Sequence, residues 1–361
     1  MGLSPIMPEH ELTKEASAQI KAISFVCALL VVTIHCPILN KQEWVSNPSY
    51  RETIPYVCSC GYALLDVFQR AAVPSFMAIS GFFLAYKYEP GFKWFAHLIC
   101  KKFWTLYVPF VAWNAMYWLL MGVKDGFSIK GLANAVLGLN FYVPVAGFHL
   151  WFIRTLLFLI LLLPFVMFVL KRAGAFIVLT LFVLAVFKVD IASPFCGTSL
   201  MLFFSLGAYF GMDNRWILMS EFLETRKDGV KAGTIVSCVG LVILAILVGL
   251  RVIRYEFYLG IIFPISLVSC FVLWTSKRAL ASCLKCFSSL WGLSFFIYAF
   301  QIAVIAGWSQ LFRRMGLEVT ALGGILGVVK LCLVFITIIG TGIVFRKSFP
   351  KTYKLLTGGR A

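Results

Sequence analysis

The stretch "ISFVCALLVVTIHCPILN", residues 23–40, decides the fold. It is an apolar run of membrane-spanning length that carries one imidazole, His35, near its far end. A helix needs about 20 mostly apolar residues to cross ~30 Å of hydrocarbon. Burying an imidazole there costs free energy unless something pairs with it. The rest of the chain has to supply that partner.

The surrounding composition agrees with a membrane setting. Of 361 residues, 61% are hydrophobic and 13% are charged, whereas about a quarter of a soluble domain is charged. No polar stretch is long enough to fold as a soluble domain, so residues 1–361 read as a single all-α integral membrane domain. Similar apolar runs place spans near 20–38, 68–86, 103–122, 148–170, 174–190, 197–213, 231–250, 257–276, 289–311 and 321–345. That predicts about ten transmembrane helices in one bundle. Residues 1–19 are polar and lack the apolar core of a signal peptide, so they read as a retained cytoplasmic segment. Residues 346–361 are basic and proline-broken, which predicts a cytoplasmic tail lying along anionic headgroups.

The net charge of +17 fits topology better than nucleic acid, because Lys and Arg sit in short connections without interleaved aromatics. With an even number of spans both termini share a side, and twenty basic residues then fall on that side against ten opposite. The positive-inside rule makes the termini cytoplasmic, in a multi-pass protein of the cell (inner or plasma) membrane. Cys283 and Cys286 form a lone CxxC with no second pair, which does not complete a metal site. Cys58, Cys60 and Cys196 could join in a disulfide if their loops face an oxidising compartment. Gly323 and Gly327 form a GxxxG pair, a weak and common signal of helix contact.

Polar residues inside the spans are the candidate chemistry. Histidine is the side chain best tuned to take and return a proton near neutral pH, and His35 leads. Lys21 and Ser24, 14 and 11 residues earlier, fall within roughly 40° of it around the helix, so one stripe of the first span is polar. In "QRAAVPSFMAISGFFLAYK", Pro74 can kink the helix, and Ser80-Gly81 either opens backbone groups to a cavity or makes an ordinary packing notch. "CKKFWTLYVPFVAWNAMYW" sets Lys101 and Lys102 at the cytoplasmic rim, with Trp113, Asn114 and Tyr117 deeper. "GFHLWFIRTLLFLILLLP" adds His149, Trp151 and Arg154, the last an intramembrane charge that favours a site by default. Lys330, in the final span, can snorkel to an interface.

Taken in order, "KAISFVCALLVVTIH", "VPSFMAISGFFL", "KKFWTLYVPFVAW", "HLWFIRTLLFLILLLP", "FFSLGAYFG", "SFFIYAFQ" and "LLTGGR" resemble the acyltransferase-3 family, multi-pass enzymes that acylate cell-surface glycans. The resemblance spans nearly the whole chain. It implies transfer of an acyl group, usually acetyl from cytosolic acetyl-CoA, to a hydroxyl of a carbohydrate or glycolipid. Acyl-CoA would be a co-substrate, with no bound cofactor. His35 matches the histidine that is thought to act in the transfer. The chain departs from the family pattern at Ser24, where an arginine often stands, at Gln301, where a histidine often follows "IY", and at Thr105, where a third basic residue often follows the rim pair. His35 would then be the base, and Arg154 and Ser80 the donors to developing thioester charge. Lys101 and Lys102, with Lys21 and Ser24, would meet the donor. Trp113, Asn114, Tyr117, His149, Trp151 and Gln301 would line the acceptor's path. A transporter or flippase of a polysaccharide intermediate is the rival reading.

Overall fold

A computed structural model describes residues 14–40, 44, 47–125, 129, 131, 133, 148–191, 196–215, 224–317 and 323–359. His10 and the first thirteen residues lie outside the described part, as do Arg360 and Ala361. No strand occurs among the described residues. The helices are α1 (Lys14–His35), α2 (Pro48–Thr53), α3 (Tyr56–Gln69), α4 (Ala72–Tyr86), α5 (Phe92–Lys102) and α6 (Val108–Asp125). A π-helical turn, Phe103–Tyr107, joins α5 to α6. After the 3₁₀ turn Phe148–Leu150 come α7 (Trp151–Leu161), α8 (Leu163–Val186), α9 (Thr198–Gly211), α10 (Lys227–Gly249), α11 (Tyr255–Gly260), α12 (Ile262–Thr275) and α13 (Lys277–Cys283). A 3₁₀ segment, Lys285–Leu293, leads into α14 (Ser294–Arg314), followed by α15 (Gly323–Ser348) and α16 (Pro350–Thr357).

Among the described residues, six stretches are long and apolar enough to cross a membrane: Lys14–His35, Tyr56–Tyr86, Leu163–Val186, Lys227–Gly249, Lys285–Arg314 and Gly324–Ser348. The expected count was ten. The difference arises because apolar runs say nothing about helical continuity. The expected spans at 148–170, 197–213 and 257–276 fall on shorter apolar helices, α7, α9 and α12. The expected boundary at 171–173 falls on a break inside α8, where Ala173 leaves helical geometry at φ −143° and ψ 37°. Pro74 lies in the first turn of α4, where a missing backbone N–H leaves no gap.

The closest helix pair is α4 with α9. A Cβ on Gly81 would lie 2.0 Å from the Phe204 carbonyl oxygen, and one on Gly207 would lie 2.0 Å from that of Ala78. These glycines let the two backbones touch, so Gly81 serves as a packing notch. In α15 the same device uses Gly324 and Gly327. Gly327 meets the Ile38 carbonyl oxygen, 1.9 Å from a would-be Cβ, and Gly324 meets the Cys58 side chain. The segment that follows His35 is thereby held against α15.

The start of α1 packs near α13, where Glu15 acts on Lys277. The Tyr353 hydroxyl of α16 reaches the Gly292 carbonyl at 3.4 Å. Both described ends of the chain therefore lie on one face of the bundle. The tail also packs against the bundle, which its basic composition did not announce. Tyr353 and Thr357 are fully buried, and the Trp113 indole N–H donates to the Leu356 carbonyl at 2.9 Å. Tyr353 and Thr357 stand four residues apart, on one helix face; that face docks, while Lys351 and Lys354 stay exposed. Cys58, Cys60 and Cys196 are free thiols.

Candidate active site

Three elements, the 3₁₀ turn Phe148–Leu150, α6 and α14, converge around His149, and the end of α1 brings His35 to it. His35 ends α1, half-buried, and its ring meets that of His149 edge to face, with centroids 6.3 Å apart. His149 sits on the 3₁₀ turn Phe148–Leu150 and is 1% exposed. Its Nε2 lies 3.0 Å from the Ala299 carbonyl oxygen of α14. A carbonyl can only accept, so Nε2 carries the proton and Nδ1 bears the lone pair of the neutral ring. The Tyr117 hydroxyl, from α6, donates to the same carbonyl at 2.8 Å and accepts from the Ala303 N–H at 3.4 Å. Tyr117 also packs edge-on against His149, with centroids 5.1 Å apart. Tyr298 closes the group by donating its hydroxyl to the His149 carbonyl at 2.5 Å. Two imidazole rings, the side chains best suited to take and return a proton, thus lie edge to face beside a buried tyrosine pair.

Two amides border this group with spare acceptors. Gln301 is fully buried and donates to the Tyr298 carbonyl at 3.0 Å, and Asn114 is fully buried and donates to the Phe110 carbonyl at 2.9 Å. Each bond requires the amide nitrogen to face a carbonyl, which turns the oxygen away. Those two side-chain oxygens are buried without a hydrogen-bond partner among the described residues. A buried polar atom left so costs about 1–3 kcal/mol, and hydroxyl or amide donors of a ligand would relieve it.

The other expected residues lie further off or do other work. Trp113 is committed to the tail through its indole and packs on Phe296 and Phe300. Trp151 is 37% exposed and turned toward the surface. Arg154 is half-buried on α7, five residues past His149, and Ser80 is half-buried on α4. Ser24 is half-buried on α1, whereas Lys21 is exposed, about 21 Å along the helix from His35. Lys101 is exposed and Lys102 half-buried in the last turn of α5, beyond the start of α6, whereas Tyr117 lies at its middle.

A second polar cluster escaped the sequence reading. Asp66, on α3, is 1% exposed and pairs with Arg70 at 2.7 Å. Its two oxygens also accept from Gln69 Nε2 at 2.5 Å and the Tyr258 hydroxyl at 2.6 Å. Gln69 Oε1 in turn lies 3.1 Å from the Thr33 hydroxyl of α1. The signal was present in "YALLDVFQR": one carboxylate inside an apolar run, with an arginine four residues on, one helical turn away.

Apolar helices of membrane-spanning length around a buried histidine define a multi-pass helical membrane protein. The comparison with protein families narrows the class: a family model described as an acyltransferase domain matches residues 18–346. The chain belongs to the acyltransferase-3 family and is an acyltransferase acting on groups other than aminoacyl groups. No curated protein and no solved structure matches it.

Proposed function

We propose that the protein moves an acyl group, acetyl first among them, from acyl-CoA to a hydroxyl of a cell-surface carbohydrate or glycolipid, with His35 as the base. The observation that carries this reading is the His35–His149 contact: the imidazole of a membrane-length helix meets a polar partner inside the bundle instead of lipid. In the reaction His35 takes the proton of the acceptor hydroxyl. The freed oxygen attacks the thioester carbonyl carbon, the C–O bond forms as the C–S bond breaks, and the proton leaves with CoA as its thiol. A sugar hydroxyl is a poor nucleophile until its proton is removed, and a positioned base contributes about 10²- to 10⁴-fold.

The remaining roles follow the chemistry. Arg154 and Ser80 are proposed donors to the carbonyl oxygen as it gathers charge. Lys101 and Lys102, with Lys21 and Ser24 below His35, are proposed to receive the phosphates and arm of CoA. Asn114 and Gln301 offer their spare oxygens to hydroxyls of the acceptor, beside Tyr117 and His149. This arrangement goes with ten passes, with both termini in the cytoplasm of a cell whose plasma membrane holds the protein, supported by the bias of basic residues. Incorporation of labelled acetyl from acetyl-CoA into envelope glycans tests it, with mass spectrometry of the products. His35→Ala and His35→Gln should lose at least about 100-fold, and wild-type turnover in both would remove His35 from the chemistry.

A further inference from the structure

The end of α1 is where the proposed base sits, and a helix end leaves its last four carbonyls without intrahelical partners. Such an end frays unless it is tied. Two ties are present. On one side Gly327 of α15 brings its backbone against the Ile38 carbonyl. On the other, the single hydroxyl proton of Thr33, two residues before His35, is shared between the Leu30 carbonyl at 2.7 Å and Gln69 Oε1 at 3.1 Å.

The orientation of Gln69 is decided by Asp66. A carboxylate only accepts, so the Gln69 nitrogen must face it, and the amide oxygen must then face Thr33. Asp66 is held in turn by Arg70, 2.8 Å and 2.7 Å from its two oxygens, and by the Tyr258 hydroxyl. Four donated hydrogen bonds use the acceptor capacity of the carboxylate. Burying such a pair is a poor way to gain stability, and an ionisable residue within a membrane span asks for a function. Yet Thr33 and His35 point to different sides of α1, since two residues turn a helix by about 200°. The cluster therefore lies behind the base, away from His149.

We infer that Asp66 is a positioning residue for His35: its carboxylate fixes Gln69, which fixes Thr33 and with it the last turn of α1, so that the His35 ring is held toward His149. The inference rests on the reading of His35 as the base. A shift of about 1 Å in a reacting group can cost 10²-fold in rate, so loosening this chain of bonds lowers turnover without touching donor affinity. Arg70 and Tyr258 act one step further back, by holding the carboxylate.

The test uses the full-length protein in native membranes, with acetyl-CoA as donor and endogenous glycans as acceptor, and rates per folded protein from the monodisperse fraction on size exclusion. Thr33→Val keeps the shape and removes the hydroxyl, and Gln69→Leu removes the amide. Each should lower the maximal rate about 10- to 100-fold, with the apparent KM for acetyl-CoA within about twofold. Thr33→Ser should restore most of the rate, and the Thr33→Val, Gln69→Leu double variant should lose no more than the worse single, as links of one chain do. Wild-type maximal rates per folded protein in Thr33→Val and Gln69→Leu would overturn the inference, and so would a raised KM at unchanged rate or additive losses in the double variant. Full activity in His35→Ala would instead sink the reading on which it rests.

Discussion

The docked tail offers a sharp contrast between two adjacent glycines. Gly358 and Gly359 both adopt left-handed backbone, φ +63° and +78°. An alanine forced into that region costs about 1–2 kcal/mol. At Gly359 a Cβ would meet nothing within 4 Å, so strain is the whole effect. At Gly358 a Cβ would lie 1.9 Å from the Thr105 carbonyl oxygen and 2.6 Å from its carbon. Those are backbone atoms of the π-helical turn and cannot rotate aside. Relief requires the end of α16 to lift by roughly 1 Å, beyond hydrogen-bond reach for the Leu356 carbonyl now 2.9 Å from the Trp113 indole. That bond is worth about 0.5–1.5 kcal/mol, and lost packing of Tyr353 adds to it. Gly358→Ala should thus cost about 2–4 kcal/mol and Gly359→Ala about 1–2 kcal/mol. Thermal unfolding in detergent, followed by tryptophan fluorescence, measures the gap, and trypsin cleavage at Lys351 and Lys354 reports the loosened tail. Equal midpoints and equal cleavage in the two variants would refute the account of docking.

The buried pair of α3 makes a second prediction. Asp66→Ala should destabilise the fold by about 3–5 kcal/mol because it strands Arg70, whereas Asp66→Leu with Arg70→Met should recover most of the loss; chemical denaturation of the purified protein compares them. Cysteine labelling supplies a third. Burial and the nearby Asp190 push the Cys196 thiol up to about 12, so at pH 8 only about one molecule in ten thousand carries the reactive thiolate there. Maleimide should modify the exposed Cys283 and Cys286 and spare Cys196 at that pH, with Cys196 labelling rising as pH climbs toward 12. Rapid labelling of Cys196 in the folded protein at pH 8 would contradict its placement.

The helical membrane character was legible in the sequence because it is local: apolar runs need no tertiary knowledge, and a scarce residue such as His35 draws attention in the same way. The meeting of His35 with His149 was not, since the two are far apart in sequence and only tertiary packing brings their rings, and Ala299 of α14, together. Span counting and helix continuity part company where helices break. The break at Ala173 was marked by Lys171 and Arg172, whereas nothing in the apolar run around Leu162 announces the end of α7. The docking of the tail was hidden as well: its lysines dominate its composition, while two residues one turn apart, Tyr353 and Thr357, are the ones that pack. The GxxxG pair was discounted as commonplace, yet Gly327 with its neighbour Gly324 closes on the chain just past His35. Asp66 was readable in principle, because a single carboxylate amid apolar residues is itself a signal.

The contact of α4 with α9 bears on how the chain is made. Gly81 and Gly207 each need the other helix to fill the space that their missing side chains leave, and 125 residues separate the end of α4 from the end of α9. At a ribosomal speed of about 5–20 residues per second, α4 waits some 6–25 s after synthesis before its mate emerges. During that interval its grooved flank faces lipid or the insertion machinery, so biogenesis of this protein has to shelter a half-built pair.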